Sequence, residues 1–334
     1  MKLNKNSKIF INYFLGPLLF LWLSWSIYRQ IQKQPGLEEA WLRIKASLSS
    51  SGIWNLITVL LLMIVNWSIE AVKWKLSVRS VQEVSFFKAF QAVLSGVSFS
   101  VSTPNRIGEY LGRVLYMKEG SRLKTISITI VGSISQLIIT LLAGCIGLYI
   151  LRDEIEARQL ISPMWMNVIV YGVTAVLLVL LLFYFRLSGL VKWADRFPGN
   201  KRFVYLVEAL ENFHPVLLLK LLLLSLVRFI VFIGQYSLLF ALFDVHLSVD
   251  AAFWTVSVSF LIMAVIPTIA IAELAQRGKV VIAIVGLYST NELGMTFATA
   301  GIWFINLILP AIIGSLLILR MRKIFAEKKE ENRQ

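Results

Sequence analysis

The residue types in this chain best suited to chemistry are glutamates and arginines set one helical turn apart inside apolar sequence. One run carries Pro104, Arg106, Gly108, Glu109 and Arg113, and the other carries Pro267, Glu273 and Arg277. The second proline, glutamate and arginine follow the first by 163 or 164 residues. On a helix Glu109 and Arg113 share a face, with Arg106 three residues before Glu109, and Glu273 and Arg277 form the equivalent pair. An excess of guanidinium over carboxylate selects an anion. Phosphate is the natural one, because it matches the guanidinium fork in a bidentate geometry. The glutamates would orient the arginines and, by titrating, couple transport to protons.

A third pair is legible elsewhere. Arg228 is stranded deep inside the apolar run 216–243, and Glu70, near the end of the run 53–72, is its candidate partner. Lys73, one turn after Glu70, is the local alternative. An unpaired charge at the centre of a bilayer costs roughly 2.5 to 3.5 kcal/mol on insertion scales, so such groups are expected in pairs and at functional positions. The plainer reading of residues 106–124 is an amphipathic surface helix with ordinary ion pairs.

The elements that must position these groups lie in lipid. Hydrophobic residues make up 57% of the chain and the mean hydropathy is +0.74, outside the range of soluble domains. The net charge of +14 falls mostly in loops, which suits membrane orientation and anionic headgroups and argues against nucleic acid. The lone Cys145 excludes an intramolecular disulfide. His214 and His246 have no second ligand at metal spacing, and no Walker motif is present, so neither metal nor cofactor is expected. Trp22, Trp25, Trp67, Trp74, Trp165 and Trp254 read as an aromatic belt near span ends.

Six stretches are long and apolar enough to span: 9–28, 53–72, 125–151, 165–185, 216–243 and 296–319. Two more, 86–103 and 251–266, are serine-rich and lead to the motif prolines. Five segments hold 23 of the 33 basic residues: the N-terminal tail, 73–88, 106–124, 186–202 and the tail from Arg320. By contrast, 152–163 is net acidic and 244–250 has no Lys or Arg. Cytoplasmic loops are the basic ones, which puts both termini inside and sets 73–88 and 106–124 on one side. The stretch between them must therefore enter and return.

The same parity makes 251–292 dip from the opposite face, with residues 280–287 as a returning half-helix. The expected fold is an all-α polytopic integral membrane protein of six full spans and two re-entrant hairpins turning at Pro104, Gly108 and Pro267. Its halves, 1–155 and 156–325, form an inverted-topology repeat, followed by a charged tail at 326–334. Gln136 and Gly144 correspond to Asn306 and Gly314 at an offset of 170. Ser95, Ser98, Ser100, Ser102 and Thr103, with Ser257, Ser259 and Thr268, either line a polar path or permit tight helix packing.

Through Pro104, Gly108, Glu109 and Arg113 the chain resembles the lysylphosphatidylglycerol synthase transmembrane-region family, also described as flippase-like membrane proteins. The second motif keeps that family's proline and glutamate at Pro267 and Glu273 but lacks its glycines. Members fused to an aminoacyltransferase domain make the lipid and move it outward. This chain resembles the translocation module alone, so no synthase activity is implied. The expected function is transfer of an anionic phospholipid or a polyprenyl-phosphate-linked lipid between leaflets, in a bacterial cytoplasmic membrane, with phosphate held by Arg113 and Arg277. The alternatives are an integral-membrane enzyme acting on headgroups and a scaffold for lipid-synthesis enzymes.

Overall fold

The computed structural model describes residues 52–101, 103, 107–186, 210, 213–266 and 270–319, with isolated positions 25, 29 and 42. All regular structure among the described residues is helical. In chain order the helices are α1 (Gly52–Val78), α2 (Phe86–Val101), α3 (Gly108–Val114), α4 (Arg122–Ile150), α5 (Arg152–Ala157), α6 (Pro163–Phe185), α7 (Pro215–Leu242), α8 (Val249–Val265), α9 (Ala270–Val285) and α10 (Glu292–Leu319). Five of them, α1, α4, α6, α7 and α10, are long and apolar enough to cross a membrane. The 27 residues of α1 extend about 40 Å, more than a bilayer core requires. The expected span at 9–28 lies outside the described residues, as do Pro104, Arg106 and Pro267.

Helix ends follow from local chemistry. Pro163 and Pro215 each occupy a first helical turn, where a missing N–H costs nothing. Ser248 and Asn291 cap α8 and α10 by accepting from the N–H groups of Ala251 and Gly294. Within α10 the segment Phe304–Ile308 winds as a π-helix, a form that recurs at functional sites.

The short helices fold back on their neighbours. Gly112 of α3 lies so close to α2 that a Cβ there would sit 2.5 Å from the Cα of Gly96, and Gly108 abuts Phe99. Residues rising in α3 thus face residues falling in α2, as in an antiparallel hairpin. The Lys118 N–H donates to Gln82 Oε1 at 3.0 Å, so the chain leaves this hairpin beside the point where it began. In the second half, Arg158 donates to the Leu287 carbonyl at 3.4 Å, and Asn291 donates to the carbonyls of Phe243 and Asp244 at 3.0 Å. That gathers the start of α8 and the end of α9 at one end of the molecule. The returning helix there begins at Ala270, earlier than the expected residue 280.

Each of the two hairpins packs against a long helix distant in sequence. Gly144 on α4 packs against Leu261 of α8, while Gly314 on α10 packs against the Leu94 carbonyl and Ser98 of α2. Charge divides between the two ends. The end holding α5 carries Asp153, Glu154, Glu156, Asp244, Asp250 and Glu292 against Arg152 and Arg158. The opposite end carries Lys75, Arg79, Lys88, Lys118, Arg122, Lys124 and Lys220 against Glu83 and Glu119.

This arrangement is tested by cysteine labelling in a Cys145→Ser background, using an impermeant maleimide on sealed vesicles of known sidedness. Glu83→Cys and Lys118→Cys are expected to label from the same face, and Asp153→Cys from the other. Labelling of positions 83 and 118 from opposite faces would make α2 a full crossing.

Candidate functional site: a buried charge cluster and its cavity

The site starts from a polar stripe on α1. Asn66, Glu70, Lys73 and Ser77 follow one another at helical spacing, lie on one face, and are all buried. In lipid such a face can only turn inward, and here it meets α3, α4, α7 and α10. From α7 comes a matching stripe of Ser225, Arg228 and Gln235.

Glu70 is the hub. Its Oε1 takes the Arg113 Nη1 at 3.0 Å, and its Oε2 takes the Arg228 Nη1 at 2.7 Å and the Lys73 Nζ at 3.0 Å. Three cations from three helices converge on one carboxylate. Glu109 supplies a second, 3.4 Å from Arg113 Nη2. These five groups carry three positive and two negative charges, so the cluster is left one positive. Inside a protein the alternative to such pairing is an isolated buried ion, at a cost of several kcal/mol.

Neutral groups complete the network. Asn66 Oδ1 accepts from Arg228 Nε at 2.8 Å, while Asn66 Nδ2 donates to Asn306 Oδ1 at 3.3 Å. Asn306 sits in the π-helical turn of α10. Lys73 donates to Ser225 Oγ at 3.2 Å, and Ser225 and Ser135 share a hydrogen bond of 2.9 Å. The Arg228 guanidinium also lies over the rings of Trp67 and Phe232, at 5.1 and 5.6 Å from their centroids.

A cavity of about 560 Å³ opens beside this cluster. Glu70, Lys73, Glu109, Arg228 and Arg277 reach its wall, which is otherwise largely apolar, with Phe229, Phe232 and Phe260 prominent. The two motif hairpins thus each give the cavity one charged residue, Glu109 from the first and Arg277 from the second. Glu70 lies eight residues from the end of α1, about 12 Å below the basic end, so the cavity is within the span.

The structure departs from expectation in three ways. Arg113 does not line the cavity: its side chain is 4% exposed, enclosed behind Glu70 and Glu109, so it braces the carboxylates. Arg228 and Lys73 take the wall positions. Trp67 and Trp74 are not belt residues; both are buried, Trp67 under Arg228 and Trp74 donating to Thr129 Oγ1 at 3.2 Å. Ser95, Ser98, Ser100, Ser257 and Ser259 do not reach the cavity. Ser98, Ser100, Ser257 and Ser259 bond to backbone carbonyls and Ser95 to Tyr116, which is packing. The side chain of Glu273 lies outside the described residues, although its backbone is helical.

Lys73, Asn66 and Asn306 are the members of the network that motif matching passes over. For Lys73 and Asn66 the signal is the polar stripe itself, four polar residues at 66, 70, 73 and 77 on one face of an apolar helix.

An all-helical integral membrane protein with a charged cavity inside its helices is the class that fold and site define. The chain belongs to the lysylphosphatidylglycerol synthase TM region family, whose model matches residues 13–314. It is a membrane protein acting on lipids. No curated protein matches the chain.

Proposed function

We propose that the protein moves a lipid with an anionic, phosphate-bearing headgroup between the two leaflets, and that the cavity beside Glu70 is where the headgroup rests. The single observation that carries this reading is the composition of the cavity wall. Cations at Lys73, Arg228 and Arg277 sit beside aromatic and aliphatic side chains, at a depth where only an amphiphile crossing the membrane would need both.

Arg228 is the central residue of this reading. It uses Nη1 on Glu70 and Nε on Asn66, and a guanidinium has five N–H donors in all. The remaining donors suit phosphate oxygens. Glu70 acts as the resident counter-ion that holds Lys73 and Arg228 in place when the cavity is empty. An arriving phosphate competes with it, and departure restores the Glu70 contacts. Glu70 belongs to the first half and Arg228 to the second, so this exchange loosens a tie between halves while a lipid is bound. Opposed hairpins and the reciprocal packing of Gly144 and Gly314 support an inverted repeat, the architecture in which alternating access is commonly built. With the basic end in the cytoplasm, the bacterial cytoplasmic membrane is the expected site of action. Transport needs no bond to be made or broken, and the reading assigns no enzymatic step.

Reconstitution into liposomes with fluorescent anionic lipids tests it. The wild-type protein is expected to raise leaflet exchange above that of protein-free liposomes. Arg228→Gln is expected to lower exchange at least tenfold while the protein stays monodisperse, because Lys73 and Arg113 still balance Glu70 and Glu109. Exchange equal to the protein-free rate across a panel of phospholipids and polyprenyl phosphates would remove the transport reading. Chemical conversion of the headgroup would replace it with an enzyme.

A further inference from the structure

A second cavity lies at the basic end of the seam between α1 and α7. It measures about 420 Å³ and is lined by Leu76, Arg79, Ser80, His214, Val216, Leu217 and Lys220. Its polar groups come from both helices, with Arg79 and Ser80 at the end of α1 and His214 and Lys220 at the start of α7. Among its described lining residues there is no carboxylate. Of its apolar residues, Leu76 lies inside α1, and Val216 and Leu217 open α7 about one turn before Lys220.

We infer that this groove is a docking site for the phosphate of an anionic phospholipid in the leaflet at the basic end. Four observations support that occupant. Arg79 and Lys220 supply two cations, and exposed Ser80 and His214 add hydrogen-bonding groups. Among the described residues, the acid paired with Arg79 is Glu83, in an open contact at 3.6 Å with side-chain exposures of 73% and 82%. A phosphate can displace such a solvated contact. The first turn of α7 opens toward the groove, and His214 makes no side-chain cap there, so the opening N–H groups of a 28-residue helix add to the positive potential. Finally, Leu223, three residues deeper in α7 than Lys220 and on the same face, is 52% exposed, which gives acyl chains an apolar surface below the charged groups. Basic pockets between spans on the cytoplasmic side are a recurrent way of holding anionic headgroups.

The groove and the central cavity share one seam. Arg79 is six residues from Lys73, and Lys220 is eight from Arg228, separations of about 9 and 12 Å along the two helices. Ser77, Lys73 and Ser225 close the seam between them, all buried. The groove is therefore a separate station, and its lipid selectivity does not depend on transport.

The experiment measures association of spin-labelled phosphatidylglycerol and spin-labelled phosphatidylcholine with the full chain reconstituted in phosphatidylcholine liposomes. Wild-type protein is expected to prefer the anionic label, and raised salt is expected to weaken that preference. Arg79→Gln combined with Lys220→Gln is expected to cut it at least threefold. Ser80→Asp, a single surface change, is expected to do the same by repulsion, and Arg79→Lys with Lys220→Arg to preserve it. The loss caused by Arg79→Gln with Lys220→Gln should persist in an Arg228→Gln background, so failure of the cavity reading and failure of this one are separable. Unchanged preference in both the double-glutamine and the Ser80→Asp proteins would overturn the proposal. Displacement of the label by glycerol 3-phosphate at matching concentration would overturn it too, by making the groove a site for soluble phosphates.

Discussion

Glu70→Leu is expected to yield a protein that no longer survives extraction as a folded, monodisperse species. The substitution leaves Lys73, Arg113 and Arg228 buried around a leucine, with Glu109 the one remaining carboxylate of the cluster, 3.4 Å from Arg113 alone. Removing one partner of a buried ion pair typically costs about 3–5 kcal/mol, and here three cations lose their shared acceptor at once. That is a large fraction of the stability of an ordinary domain. Glu70→Gln keeps the shape and two hydrogen-bonding atoms but not the charge, so an intermediate loss is expected. Pairing Glu70→Leu with Arg228→Leu should recover part of it, because the double variant retains Lys73 and Arg113 against Glu109. Thermal unfolding in detergent, followed by tryptophan fluorescence or size exclusion, reads all three. A Glu70→Leu protein as stable as wild type would mean that these cations find other partners at no cost.

The second large effect is expected at Gly112. A side chain there has nowhere to go, since its first carbon would meet backbone atoms of Gly96 and Ser95. Backbone cannot yield as a side-chain tip can, and overpacking commonly costs about 1–3 kcal/mol, with more where nothing yields. Gly112→Val should therefore pry α3 from α2. Arg113 and Glu109 are carried on α3, so the same change should draw both away from Glu70 and from the cavity. The expected outcome is a destabilised protein in which any residual folded fraction has lost leaflet exchange. Gly120→Val, at a glycine with open space around it, is the control and should match wild type in both measurements. Equal behaviour of the two variants would mean that α3 does not set the geometry of the cluster.

Much of this architecture was legible before any coordinates. Hydropathy placed five helices within a few residues of where they lie, because in lipid every backbone group must be satisfied within its own helix. Charge counting separated the basic and acidic ends. It also required residues 86–103 to return, which fits the contact between Lys118 and Gln82.

The interior of the site was less visible. Hydropathy scores Trp67 and Trp74 alike whether they face lipid headgroups or the protein interior, and only packing decides between them. Glu109 and Arg113 read as a self-contained pair because local spacing reports the neighbour on the same helix. It is silent about Glu70, some forty residues earlier in the chain, whose carboxylate lies nearer to Arg113. The Glu70 and Arg228 pair is readable because each is a charge set far inside a long apolar run. Lys73 was noticed only as an alternative to Arg228, yet both bind the same oxygen.

The reciprocal glycine contacts carry a kinematic consequence. Gly144 receives Leu261 from the opposite half, and Gly314 receives the backbone at Leu94 in return. Two halves clasped this way cannot part like the leaves of a book, because each would have to be drawn off the other's hairpin. For the proposed exchange between leaflets, the motion that such a clasp permits is rotation about the two contact points, acting as paired bearings. Smooth, side-chain-free surfaces are what a bearing needs, and any residue larger than glycine there would turn a pivot into a weld.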